Sequence, residues 1–180
     1  MNIDILFKKE YNAIYKKIFP ESENIMSWNL LKRERKMAKT IWKPGTFIYP
    51  IPAVMVSCGD MEKSNIITVA WTGILNTNPA MCYISVRPER YSYNIIKETG
   101  EFVINLTTKD LAYATDWCGV KSGKNFDKFK EMKLTKEKSN FVKCPAIKES
   151  PVSVECRVKE IKELRKSHCI YCRCFINKCR

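Results

Sequence analysis

The sequence predicts a mainly β protein with short helices, arranged as a closed or partly closed antiparallel barrel. Short runs rich in Val, Ile, Thr and Tyr recur between residues 53 and 106 and return after residue 151. Gly, Pro and Asn punctuate them, and there is no regular strand–helix rhythm of the kind that builds a parallel sheet. Closure is the economical arrangement for such strands, because it removes unpaired edges. The chain has 180 residues, 45% of them hydrophobic, which is enough for one domain with a real core.

Residues 1–36 read as an atypical extension. Tyr11, Ile14, Tyr15 and Ile18 have helical spacing and Pro20 would stop the helix, after which Lys32 to Lys36 is a charge run. Three readings stay open: an appended amphipathic helix, a poorly ordered extension, or an upstream segment translated ahead of a start at Met37. Pro44, Pro50 and Pro52 exclude a helix and a central strand until Ala53, where an apolar run to Cys58 predicts a buried strand closed by the Gly59-Asp60 turn. Ile66–Thr72 predicts a second strand ending at Gly73. Met81–Arg87 predicts a third, joined to it through Asn76-Thr77-Asn78-Pro79.

Pro88 breaks that third strand, and Ser92 is placed to cap a short helix. Gly100 ends the helix and Glu101–Leu106 predicts a fourth strand. Thr108 is placed to cap a helix from Lys109 to about Cys118, and 121–129 is a polar loop. Val152, Val154, Cys156 and Val158 alternate with Ser153, Glu155, Arg157 and Lys159, the pattern of a strand with one buried and one wet face.

The net charge is +13, yet the charges are dispersed. Lys124, Lys128, Lys130 and Lys133 are interleaved with Asp127 and Glu131, as on an exposed face and not as in a phosphate-tracking groove, so no nucleic-acid partner is expected. No apolar run approaches the length of a membrane span and no secretory signal pattern opens the chain. No membrane partner is expected, and the expected location is cytoplasmic. Cys58, Cys82, Cys118, Cys144 and Cys156 are scattered among apolar residues, as buried thiols are in a reducing compartment.

The stretch of chemical interest is Arg87-Pro88-Glu89-Arg90-Tyr91-Ser92. Two guanidiniums stand beside a helix start, and both features favour a phosphate. The surrounding order is Pro50–Gly59, Asn65–Gly73, Asn78-Pro79, Arg87-Pro88-x-Arg90-x-Ser92, Thr99–Leu106, Ser122-Gly123 with Lys128-Phe129, and Pro145-x-Ile147-x-Glu149-Ser150-Pro151 with Glu155-Cys156. In that order and spacing, about residues 38–168 resemble the flavin reductase-like, FMN-binding split-barrel family that includes flavoredoxin.

The resemblance implies a homodimer of six-stranded split barrels holding FMN near the dimer interface, within a domain spanning 37–168. It places Thr68, Val69, Ala70 and Trp71 along the isoalloxazine and Arg87, Arg90 and Ser92 at the phosphate. It implies an oxidoreductase or electron-transfer protein reduced by NADH, NADPH or a redox partner. No catalytic side chain is implied, since the cofactor performs the redox step. Asn105 is expected to satisfy backbone groups near a strand end.

The chain departs from the family at its end. After Ser167-His168, residues 169–180 form a Cys-rich tail. His168, Cys169, Cys172, Cys174 and Cys179 are metal-ligating types, but the spacing is irregular and no second knuckle follows, so no metal site is assigned from the sequence. Back-translated with AT-rich codons, the tail reads one base later as an apolar strand. The expectation is a frameshifted tail in place of a lost or altered closing strand. The competing function is then a truncated, non-catalytic barrel or a basic binding module lacking flavin.

Overall fold

The computed structural model describes residues 39–178, with side chains as far as Phe175. The chain divides into two units, 1–46 and 47–180. Within the first, residues 39–46 form neither helix nor strand and are exposed, and the expected helix around 11–18 lies outside the described residues.

The second unit is built on a seven-stranded antiparallel sheet. Its strands are β1 (Val54–Gly59), β2 (Ser64–Val69), β3 (Thr72–Asn76), β4 (Met81–Val86), β5 (Glu101–Asn105), β8 (Val152–Leu164) and β9 (Ser167–Lys178), in the order β2-β1-β5-β8-β9-β4-β3. A small pair, β6 (Lys136–Glu137) and β7 (Ala146–Ile147), lies apart. The helices are α1 (Tyr91–Thr99), α2 (Ala112–Val120) and α3 (Lys128–Glu131). The sheet curls so that Val69 near one edge shares a core with Ile84 and Val86 of β4, together with Val56, Phe102, Cys156 and Ile170. The predicted antiparallel split barrel is therefore the fold.

The strand count is seven and not six because the run expected as one strand is two. β2 stops at Val69 and β3 starts at Thr72, on opposite edges of the sheet, with Ala70-Trp71 as the crossing. Apolar and β-branched residues continue through the break, so nothing in the local pattern marks it.

A second core lies on the outer side, where Met55 and Ile66 meet Leu111, Ala114 and Cys118 near and on α2, and Phe129 of α3. β1 is thus buried on both faces, which is why it reads as an unbroken apolar run. Helix α1 ends as predicted. Gly100 adopts φ 67°, a left-handed cap, and donates its N–H to Ile96 O. Helix α2 starts later than expected, with Leu111 at its cap position, and runs through Gly119 to Val120.

The expected loss of the closing strand is corrected. Ser167–Lys178 forms β9, which pairs with β4 from Met81↔Arg173 to Val86↔His168 and with β8 from Val152↔Lys178 to Leu164↔Ser167. Ile170, Cys172 and Cys174 face the barrel core while the intervening Arg173 is exposed. The tail keeps a period of two, and thiols are small apolar groups, so it serves as a strand.

The wet face expected for β8 is a second correction. Ser153 and Glu155 are buried, because segment 139–147 covers that face. The Glu155 carboxylate accepts from the N–H groups of Asn140, Phe141 and Val142 at 2.8, 2.5 and 3.0 Å. Asn105 does what was expected of it. Its Nδ2 donates to Met55 O, Ser57 Oγ and Val103 O, and its Oδ1 accepts from Ile147 N and Ser153 Oγ, both at 2.9 Å.

Asn105→Ala strands buried donors on β7 and β8, each costing about 1–3 kcal/mol. The expected loss in urea unfolding is about 3 kcal/mol or more. A loss under about 1 kcal/mol would show that the network is dispensable.

Candidate functional site

The cleft of interest forms where the ends of β2 and β4 meet the start of β9. It encloses about 280 Å³ and is lined by Ile67, Thr68, Val69, Ala70, Trp71, Ser85, Val86, Arg87, Arg90 and Ser167. A hollow of about 100 Å³ adjoins it through Ile67 and Arg90, and reaches Asn65, Ser92, Gly123 and Lys128. The structure therefore brings together six of the seven residues named from the sequence, and Ser92 lines the adjoining hollow with Arg90.

Their local roles differ. Val69 is 5% exposed and its side chain belongs to the barrel core. Thr68 turns its hydroxyl away to donate to Thr115 O on α2. These two residues offer the cleft mainly their backbone. Trp71 is 44% exposed, so its ring is not part of the core. Its carbonyl accepts from Ser85 N at 2.8 Å, which ties the crossing segment to β4.

Arg87 and Arg90 are exposed, and they flank the turn in which Arg90 N donates to Arg87 O at 3.0 Å. Arg90, not Ser92, is the N-cap of α1, and it makes no side-chain cap bond. Ser92 lies inside the first turn, 1% exposed, and its hydroxyl accepts from Asn65 Nδ2 at 2.8 Å. The expected Ser92 cap is thus corrected: the bend at Pro88 carries the chain into the helix two residues earlier.

Sequence reasoning missed Lys128, which was expected on an exposed face. It is 3% exposed, and its Nζ donates to Ile66 O and Cys118 O, each at 2.7 Å. Desolvation holds its pKa below the ordinary lysine value, and the positive charge of Arg90 lowers it further. Arg90, Lys121 and Lys128 outnumber Glu89 in the lining of this hollow, a charge balance that favours an anionic ligand. Gly123 makes room there, since a Cβ at that position would sit 2.2 Å from Asn65 Oδ1.

Ser167 and His168 were also missed as site features. Ser167 lines the cleft, and His168 Nδ1 lies 2.7 Å from Tyr93 Oη, pinning β9 to α1. A larger hollow of about 600 Å³ opens beside α2 and α3. Asp110, Glu131 and Glu149 line it with the single cation Lys133, an acidic balance that disfavours an anionic ligand.

Residues 46–173 match the model of the flavin reductase like domain. An uncharacterised protein of Archaeoglobus fulgidus is 34% identical over 117 residues, 64% of this chain and 66% of that relative. The chain thus spans less than two thirds of its length. Among solved structures, flavoredoxin of Desulfovibrio vulgaris superposes with a TM-score of 0.72 at 27% identity, covering 78% of this chain and 76% of that one. Flavoredoxin of Methanosarcina acetivorans does so with a TM-score of 0.68 at 28% identity, covering 76% and 72%.

Behind the cleft wall, burial pushes the Cys58 thiol up to about 11 from 9.0. Between those values the unfolded chain releases a proton that the folded chain keeps. Stability from this group is full below pH 9 and falls as pH rises toward 11. Cys118 acts in the same sense and Lys128 opposes it. Cys58→Ala is expected to flatten the fall in Tm between about pH 8.5 and 10.5. An unchanged slope would remove the assignment.

Proposed function

Because this chain belongs to the flavin reductase-like domain family, we propose that it binds FMN in the cleft between the β2 end and α1. There it passes reducing equivalents from NADH, NADPH or a redox partner to an acceptor, as a cytoplasmic homodimer. The observation that carries this reading is the meeting of two features in one cleft: the strand-end segment Thr68–Trp71 in its wall, and the Arg87–Arg90 pair at the start of a nine-residue helix. The first suits a flat ring with polar edges, the second a phosphate. The cleft and its adjoining hollow are on the scale of small-ligand sites.

Arg87 and Arg90 hold the phosphate as paired donors. Ser92 orients Asn65 at the floor of the adjoining hollow, and Lys128 adds positive potential from behind. Trp71 is partly exposed at the lip, and the Ala70-Trp71 segment would lie along the isoalloxazine. The redox chemistry comes from the flavin when bound: hydride is taken up from the nicotinamide and electrons are passed onward. Backbone N–H groups of the Thr68–Trp71 wall, if left to the ligand, would favour a reduced flavin by stabilising its negative charge. The walls also exclude water from the ring and fix its distance from a stacked donor.

The homodimer is supported by apolar side chains left in solvent, among them Ile48 at 87% and Ile74 at 86% exposure. The reading of a truncated barrel without flavin rested on a missing closing strand, and β9 occupies that place.

Purified protein is expected to be yellow or to take up added FMN, with the flavin absorbance bleached by a nicotinamide donor. Colourless protein that takes up no FMN would overturn the proposal. Arg87→Ala with Arg90→Ala is expected to weaken FMN binding at least about tenfold while leaving riboflavin binding nearly unchanged, because each charge-assisted bond contributes about 1.5–3 kcal/mol. Equal losses for both ligands would remove the phosphate assignment.

A further inference from the structure

Four thiols converge on the concave face of the barrel. Cys82 on β4, Cys156 on β8, and Cys172 and Cys174 on β9 place all their Sγ atoms within 4.8 Å of one another. Cys82 Sγ lies 3.1 Å from Cys172 Sγ and 3.8 Å from Cys156 Sγ. Strand pairing produces this arrangement. β9 runs between β4 and β8, Cys82 sits opposite Cys172, and Cys156 sits opposite Cys174. Cys172 and Cys174 are two residues apart and share a face, and the curl of the sheet draws the flanking thiols inward. Cys82, Cys156 and Cys172 are buried and Cys174 is half-buried.

We propose that these four cysteines bind one tetrahedral thiophilic metal ion, Zn²⁺ by preference. Four sulfur ligands are the complete set of a closed structural zinc site. With a metal–sulfur distance near 2.3 Å, the edge of such a tetrahedron is about 3.8 Å. The Cys82–Cys156 separation already has that length, and Cys82 and Cys172 need to part by only about 0.7 Å to reach it. As the ion enters, the four S–H protons leave to solvent and four metal–thiolate bonds form, with no change of oxidation state. Arg157 and Arg173, paired across β8 and β9, lie with their guanidiniums over the Phe175 ring on the other face of the same strands. Arg157 is ion-paired with Glu101 at 3.4 Å, which among the described residues leaves Arg173 as the uncompensated cation of the two.

The site is separate from the flavin cleft. Cys82 is four residues before Val86 on β4, about 13 Å along the strand. Its role is to fasten β4, β8 and β9 to one another. The ligands come from three strands, and only Cys172 and Cys174 are close in sequence, so spacing rules do not detect the set.

The test measures metal in the full-length chain purified under reducing conditions. About one zinc per chain is expected. Co²⁺ exchange should give the intense thiolate-to-cobalt charge transfer and tetrahedral d–d bands of a four-sulfur site. Iron at the same stoichiometry would support the site with a different ion. Cys82→Ser with Cys156→Ser should lower the metal content at least about tenfold, whereas Cys144→Ser, at a buried thiol outside the cluster, should keep it. If the double variant does not fold, the cobalt spectrum of the unmodified chain decides. Folded protein that is metal-free and shows no thiolate charge transfer with Co²⁺ would overturn the proposal. So would a metal content unchanged in the double variant, or a Cys82–Cys172 disulfide in the reduced preparation.

Discussion

The double pairing of β9 is the constraint on which the remaining architecture rests. In the order β2-β1-β5-β8-β9-β4-β3, the pair β4-β3 is hydrogen-bonded into the rest of the sheet through β9. Without that ladder, Arg87, at the end of β4, is held to Thr68–Val69, at the end of β2, by the Ala70-Trp71 crossing with its bond to Ser85, by the packing of Val69 against Ile84 and Val86, and by the Asn65–Ser92 bond. Both walls of the cleft therefore depend on a strand that contributes only Ser167 to its lining. His168 extends the same constraint to α1 by its contact with Tyr93, so the helix start that carries Arg90 is referenced to β9 as well.

A second layer of specification is polar and buried. Asn105 reads the backbone of β1, β5 and β7 at once, and Glu155 gathers three consecutive N–H groups of the loop over β8. Such groups are costly to bury and are kept where every partner is supplied. Apolar packing would tolerate a sliding loop over the outer face. These hydrogen bonds fix its register, and the fully buried Asn105 and Glu155 sit where segment 139–147 meets β5 and β8.

Most strands were legible because their local pattern and their tertiary setting agree. β1 reads as a doubly buried run and is one; β4 alternates and has one inward face, Cys82, Ile84 and Val86. Gly100 announces its own cap. The misreadings share a cause, which is that the deciding partner lies far away in sequence. Glu155 and Lys128 are charged residues in polar-looking contexts, and each is buried because distant backbone groups meet it: carbonyls of Ile66 and Cys118 for the lysine, N–H groups of residues 140–142 for the glutamate. The β2–β3 break was hidden because strand propensity runs straight through it. The tail looked foreign by composition, but strand formation asks only for alternation and a ladder to join. Of the candidate site, the arginine pair and the 68–71 segment were visible in the sequence, while Lys128, Asn65 and Ser167 emerge only from the fold.

The placement of Lys128 explains why the arginines alone do not define the cleft. Among the described residues the Lys128 ammonium is met by the carbonyls of Ile66 and Cys118 and forms no ion pair, so its field acts on the hollow it lines with Arg90. Arg87 and Arg90 are exposed and lose much of their attraction to salt and water, whereas a charge fixed 3% exposed behind the wall does not. In the proposed binding mode the two kinds of cation divide the work: the guanidiniums would supply directional bonds at the mouth, and the buried ammonium a potential that persists at physiological ionic strength. Glu89 stands on the rim of the same hollow, and its exposed carboxylate is the weaker, screened member of the set. The balance at the hollow is therefore positive, and it is set by burial and not by the number of charges along the chain.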